Sequence, residues 1–178
     1  METITVKDRQ FAMSIEGDRI QAEIKKLAER MNRELDGKKP LFLGVLNGSF
    51  IFAADLFRRI TTPAEISFVK MASYQGTNST GVVKQLIGMP ESVEGRCVVI
   101  VEDIVDSGRT IKRMVELLNE HNPAEIHVCT LFLKPESYKG DVKIDYVALN
   151  LPNDFIVGYG LDYDGWGRNL PDIYTVVD

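Results

Sequence analysis

The segment Val98–Thr110, VVIVEDIVDSGRT, gathers three carboxylates, two hydroxyls, a glycine and an arginine directly behind an apolar run. It reads as a buried strand that ends in acids and turns into a helix through Gly108-Arg109-Thr110. A helix start presents unbonded N–H groups and a partial positive charge, which together suit a phosphate. Gly108 lets the backbone approach such an anion, and Ser107 and Thr110 add hydroxyl donors. Glu102 and Asp103, adjacent at the strand end, have the oxygen chemistry to bind sugar hydroxyls or a hard metal ion. The plainer alternative is that Asp106 or Ser107 only caps the helix and that Glu102-Asp103 is a solvated strand end. Two adjacent acids, a third three residues on and then S-G-R-T weigh against it.

Two common nucleotide motifs do not fit. A Walker loop needs a glycine five residues before Gly108, where Asp103 stands, and no G-x-G-x-x-G lies in this stretch. Elsewhere Lys134 closes the apolar run TLFL, a place where a lysine is ordinarily just a solvated terminus. His121, near a helix end, and His127, in a strand pattern, read as structural or solvated rather than catalytic. Ser73–Gly81 is polar, bears glycine and is too long for a tight turn, so it reads as an exposed loop.

These groups need a frame. Ile20, Ile24, Leu27, Ala28, Met31 and Leu35 form one stripe of a helix over Asp18–Leu35, stopped by Asp36-Gly37 and Pro40. Leu41–Leu46 and Arg96–Val101 are continuous apolar runs, the pattern of strands covered on both faces. Phe50–Ile60 returns to helical spacing, and Ile111, Met114, Val115 and Leu118 mark one face of a helix after Gly108. Ala64–Met71, Val82–Gly88, Glu125–Leu133, Asp145–Leu149, Phe155–Gly160 and Ile173–Val177 complete the β candidates. Alternating strand and helix predicts an α/β fold with a largely parallel sheet. Ligands of such sheets sit beyond the strands' carboxyl ends, which puts Asn47-Gly48, Glu102–Thr110 and Lys134 near one rim.

Bulk properties narrow the functions. A chain of 178 residues suits one domain, residues 1–178, and its net charge of −5 disfavours nucleic acid as a partner. No apolar run approaches membrane-spanning length and the first ten residues lack an apolar core, so a cytoplasmic soluble protein is expected. Cys97 and Cys129 sit in apolar runs and read as buried thiols, with a disulfide left open.

The strand, two acids and D-S-G-R-T resemble the phosphoribosyl-pyrophosphate signature of the type I phosphoribosyltransferases. Further blocks resemble their hypoxanthine-guanine branch: GVLNGSFIFAADL (Gly44–Leu56), Ser73-Tyr74 with Ser79-Thr80-Gly81, Lys134, and FIVGYGLDYDGWGR (Phe155–Arg168). The resemblance is ordered along the chain and runs from about residue 10 to 178. It implies a mostly parallel twisted sheet flanked by helices, with a small hood and a mobile β-hairpin lid. It also implies Mg2+ as cofactor, phosphoribosyl pyrophosphate and a 6-oxopurine as substrates, and a homodimer or homotetramer.

By that resemblance Asp106 is the general base, and Asp106, Ser107, Gly108, Arg109 and Thr110 hold the 5′-phosphate. Glu102 and Asp103 face the ribose hydroxyls and the metal. Leu46, Asn47 and Gly48, a loop the family associates with a non-proline cis peptide, bind pyrophosphate with Arg168. Lys134, Phe155, Ile156 (or Val157, through the backbone) and Asp162 surround the purine, and Asp162 is also a metal carboxylate. Ser73 and Tyr74 belong to the lid that excludes water from the reacting carbon. Many family members carry Lys or Arg where this chain has Asn47, which shifts pyrophosphate binding toward backbone N–H groups and magnesium. Two other functions compete: a regulatory protein that keeps the fold as a sugar-phosphate sensor, and a transferase for xanthine or a pyrimidine. The retained Asp106 and Lys134 weigh against the sensor.

Overall fold

The computed structural model describes residues 3–73, 83–87, 89 and 92–177. Along the chain come β1 (Thr3–Val6), β2 (Arg9–Ile15), α1 (Gly17–Glu34), β3 (Leu41–Leu46), α2 (Phe50–Phe57), β4 (Glu65–Ser73) and β5 (Val83–Ile87). They are followed by β6 (Cys97–Val105), α3 (Arg109–Asn119), β7 (Glu125–Leu133), β8 (Tyr146–Asn150), β9 (Ile156–Val157) and β10 (Ile173–Val176).

A six-stranded sheet runs β5-β4-β3-β6-β7-β8. Strands β4, β3, β6, β7 and β8 are mutually parallel, and only the edge strand β5 is antiparallel, to β4. The apolar runs are continuous because both faces are covered. Phe42, Val99, Cys129 and Leu131 pack with Ile20, Ile24, Met31 of α1 and Phe52, Leu56 of α2. Leu41, Leu43, Val98, Ile100 and Val128 pack on the other face with Ile111, Met114 and Leu118 of α3. The expected stripe on α1 is the buried one, and Gly37 (φ 74) follows where the helix ends.

Two features depart from the sequence reading. The chain before Asp18 carries no expected element, yet Thr3–Ile15 forms a hairpin whose second strand pairs with β10. With β9 it builds a separate four-stranded antiparallel sheet, β1-β2-β10-β9, packed around Phe11, Val157 and Tyr174. The hairpin's alternation is broken by its adjacent buried pair Phe11 and Ala12, which hides the period of two. The second departure lies in β6, expected to end at Val101 but extending to Val105. Glu102 therefore sits inside the sheet, paired in register with Thr130 of β7, and is not a solvated end. Among the described residues, no helix is long and apolar enough to cross a membrane. Both cysteines are free thiols.

Candidate active site

Three turns at the carboxyl ends of β3, β6 and β7 converge, and a fourth segment, Gly158–Arg168, which follows β9 of the four-stranded sheet (the hood), closes on them. After β3 the peptide Leu46–Asn47 is cis, and the chain enters α2 through Gly48 and the buried Ser49, whose hydroxyl donates to Val45 O at 2.6 Å. Gly48 packs directly against Asp103: a Cβ there would lie 1.7 Å from Asp103 Oδ2. From the other side Gly160 (φ 97) abuts the same loop, since its Cβ would lie 2.2 Å from Gly48 O. Only glycine permits this stacking of loop, acid and hood segment. Arg168 fixes the hood segment, donating to Gly160 O at 2.8 Å and pairing with Asp162 Oδ1 at 2.9 Å. Thus Leu46–Gly48, Asp103, Arg168 and Asp162, spread over the sequence, share one locality.

Glu102 and Asp103 form the electrostatic centre. Burial, and then the adjacent Asp103 carboxylate, push the Glu102 carboxyl well above the usual range. Burial likewise raises Asp103, opposed by the Ile104 N–H that its Oδ1 accepts at 2.7 Å and by the nearby Arg168. Among the described residues, the buried Glu102 Oε1 finds no hydrogen-bond partner. A buried carboxylate with an orphaned oxygen, beside a half-buried one, is a donor set completed by a cation or by hydroxyl donors. All-oxygen donors of this kind fit a hard divalent ion such as magnesium.

After β6 the turn Asp106–Gly108 opens α3. The capping residue is Gly108 itself, in the left-handed region at φ 84, and no side chain caps the helix. The capping position thus falls to neither Asp106 nor Ser107; both are exposed, Asp106 pairing with Lys134 and Ser107 Oγ accepting from the Arg109 N–H at a long 3.5 Å. A cavity of about 110 Å3 is lined by Glu102, Ile104–Ile111 and the exposed hydroxyls of Ser107 and Thr110. Tyr138 braces this turn: a Cβ on Gly108 would lie 2.3 Å from its ring, and its hydroxyl donates to Val142 O. Sequence reasoning passes over Tyr138, since a tyrosine in KPESYKG has no spacing that ties it to Gly108.

Lys134, buried, reaches from the end of β7 to place Nζ 3.3 Å from Asp106 Oδ2. Its backbone N–H donates to Val105 O at 3.0 Å, so the two strand ends are held side by side. From there the chain passes through β8 and returns alongside: Leu151 N–H donates to Leu133 O, and Ser137 Oγ donates to Asn153 Oδ1. Phe155 follows, 42% exposed, its ring set against Phe11 and Tyr163 with solvent on the remaining side. Ile156 and Val157 form β9, the edge of the hood sheet, which among the described residues pairs with β10 alone. Ser73 ends β4, and Tyr74 lies outside the described residues.

A polar cluster beneath the hood also escapes sequence reasoning. The Tyr159 hydroxyl donates to Asp55 Oδ2, and Gln21 Nε2 donates to both, at 2.6 and 2.9 Å. Burial, then Asp55, raises the Tyr159 phenol. Burial also opposes ionisation of Asp55, but Tyr159, Gln21 and Arg58 outweigh it and hold its carboxyl below the usual range. The cluster ties α1 and α2 to the residue next to Gly160. The legible signal is GYG, where Tyr159 takes φ 47, unusual for an aromatic.

Residues 16–164 match the model of the phosphoribosyl transferase domain. The chain is 43% identical to a hypoxanthine-guanine phosphoribosyltransferase of Streptococcus pyogenes, over 93% of this chain and 92% of that one. It is 45% identical to that of Lactococcus lactis over 83% and 80%. Among solved structures, a hypoxanthine phosphoribosyltransferase of Staphylococcus aureus superimposes with a TM-score of 0.87 at 37% identity, covering 93% of this chain and 91% of that one. One from Trypanosoma cruzi, in complex with the product IMP, gives 0.87 at 33% identity over 98% and 97%.

Proposed function

We infer from these relationships that this chain, which belongs to the phosphoribosyltransferase family and to its hypoxanthine-guanine branch, is a purine-salvage enzyme. It transfers the 5-phosphoribosyl group of phosphoribosyl pyrophosphate to hypoxanthine or guanine, giving IMP or GMP and pyrophosphate. The observation that carries the base class is the Lys134–Asp106 pair, 3.3 Å apart. A 6-oxopurine offers an acceptor, O6, and a donor, N7–H, side by side on one edge. A buried ammonium next to a carboxylate is the complement of that edge. Adenine carries an amino donor at the 6-position and would meet the ammonium donor to donor.

In the mechanism we propose, Asp106 accepts the N7 proton as N9 attacks the anomeric carbon. Losing that proton enriches N9, and the negative carboxylate favours an oxocarbenium-like transition state. Lys134 holds O6, and Phe155 stacks on the ring while the free edge of Ile156–Val157 supplies backbone groups. Amides and hydroxyls of Ser107–Thr110 hold the 5′-phosphate at the start of α3. Glu102 and Asp103 take the ribose hydroxyls. Leu46–Gly48 and Arg168 receive pyrophosphate, with Asn47, exposed at the lip, contributing no charge. Glu102, Asp103 or Asp162 would hold magnesium, which would supply positive charge to the pyrophosphate oxygens. Ser73 and Tyr74 are assigned to the lid on the family resemblance. A homodimer or homotetramer in the cytoplasm completes the proposal, and sedimentation tests the assembly.

Nucleotide formation from phosphoribosyl pyrophosphate and Mg2+ with hypoxanthine, guanine, xanthine, adenine or uracil tests the substrate reading. Turnover of hypoxanthine or guanine with little of adenine or uracil supports it. Tight binding of the sugar substrate without turnover of any base sinks it in favour of a sensor.

A further inference from the structure

At the opposite, amino-terminal rim of the sheet, three groups that the transfer reaction does not use converge. Cys97 opens β6, and Glu125 and His127 open β7. Cys97 and Glu125 are register partners on the ladder, and His127 lies two residues on, so its side chain shares their face. Thiol sulfur, carboxylate oxygen and imidazole nitrogen all lie within 4.8 Å of one another. His127 Nε2 is 2.8 Å from Glu125 Oε2, and Cys97 Sγ is 3.9 Å from the same oxygen.

The ring's other nitrogen, Nδ1, faces Asp145 Oδ1 at 4.0 Å, and Asp145 is held by the Val128 N–H at 2.8 Å. A carboxylate on the side of the second imidazole nitrogen, here at ion-pair rather than hydrogen-bond distance and shared with Lys143 at 3.4 Å, is placed to orient a metal-binding histidine. Cys97 is only 6% exposed, but it borders a cavity of about 510 Å3 that opens to solvent between Lys38, Pro63 and Arg96. That cavity gives solvent a path to the Cys97 side of the cluster, and Glu125 and His127 stand behind it, outside the lining.

We propose that Cys97, Glu125 and His127 form a zinc site, with one water completing a tetrahedral shell. Sulfur with nitrogen selects a borderline-soft ion over magnesium, which takes oxygen. Binding releases the thiol proton to solvent, leaving a thiolate ligand. It also frees Glu125 from the Lys38 ammonium, which sits 2.8 Å from Oε2 and competes for it. The ion staples the first turns of two central strands, far from the catalytic rim.

Cobalt(II), a spectroscopic stand-in for zinc, tests this on the full-length protein without magnesium. One equivalent is expected to give intense tetrahedral visible bands and a near-ultraviolet thiolate-to-cobalt charge-transfer band, both removed by zinc. Cys97→Ser abolishes the charge-transfer band, and Asp145→Asn weakens binding roughly 10–100-fold. Lys38→Met tightens it by removing the competing cation. Circular dichroism of each variant reports on folding independently. A weak octahedral spectrum unchanged by Cys97→Ser places cobalt on the Glu102–Asp103 carboxylates instead and overturns the site. A charge-transfer band that survives Cys97→Ser overturns it equally.

Discussion

Lys134 Nζ and Asp106 Oδ2 stand 3.3 Å apart across the ends of two neighbouring strands, the lysine side chain 9% exposed and the aspartate 54%. The buried member is thus anchored, and the exposed one is open to an incoming base. Lys134→Met should lower kcat/KM for hypoxanthine about 10- to 100-fold, the worth of a charged hydrogen bond of about 1.5–3 kcal/mol. Adenine turnover should fall far less. Equal losses for both bases would remove Lys134 from recognition of O6.

The buried acids make a prediction about pH. Glu102 and Asp103 have folded-state pKa values raised by burial, so protonation stabilises the fold. Their favourable contribution is complete below the ordinary carboxylate range and is lost as pH rises through the raised folded values. Glu102→Gln should therefore raise the Tm of the magnesium-free protein at neutral pH, by about 2–4 °C per kcal/mol recovered. The gain should vanish at acid pH, where the wild-type carboxyl is already neutral. Thermal melts at both pH values check this, and a gain independent of pH contradicts it.

Gly160 and Gly48 test the stacking of hood on loop. Gly160→Ala forces a Cβ to 2.2 Å from Gly48 O at a φ of 97. Relief requires the loop or the hood segment to shift, at about 1–3 kcal/mol. The KM for phosphoribosyl pyrophosphate should rise, with binding of the base little changed. Isothermal titration of each substrate separates the two.

Tyr138→Ala removes the ring that packs over Gly108 without touching a ligand group directly. The phosphate turn should loosen, and IMP or GMP affinity should fall more than affinity for the free base. A uniform loss, or none, would show that the turn holds its shape alone.

Much of this site is legible in the sequence, because its parts lie at the ends of apolar strands. VVIVEDIVDSGRT marks both its strand and its helix start, and TLFLK marks the strand that delivers Lys134. What escapes is whatever depends on the third dimension. Burial of Glu102 follows from four further residues of strand pairing that acids would ordinarily end. The Asp55–Tyr159–Gln21 cluster joins residues up to 138 positions apart, and no local period announces it. The N-terminal hairpin forms because β10 returns to pair with β2, a long-range partner that outweighs its broken alternation. Gly48 and Gly160 look like ordinary loop glycines until their backbones are seen to touch.

Asp106 as proton acceptor is tested by the single-turnover rate of nucleotide formation by Asp106→Asn, measured beside its affinity for phosphoribosyl pyrophosphate. Asparagine keeps the shape and loses the proton acceptor. The rate is expected to fall about 10²–10⁴-fold, with sugar-phosphate affinity little changed. A variant that transfers at the wild-type rate would contradict Asp106 as the general base.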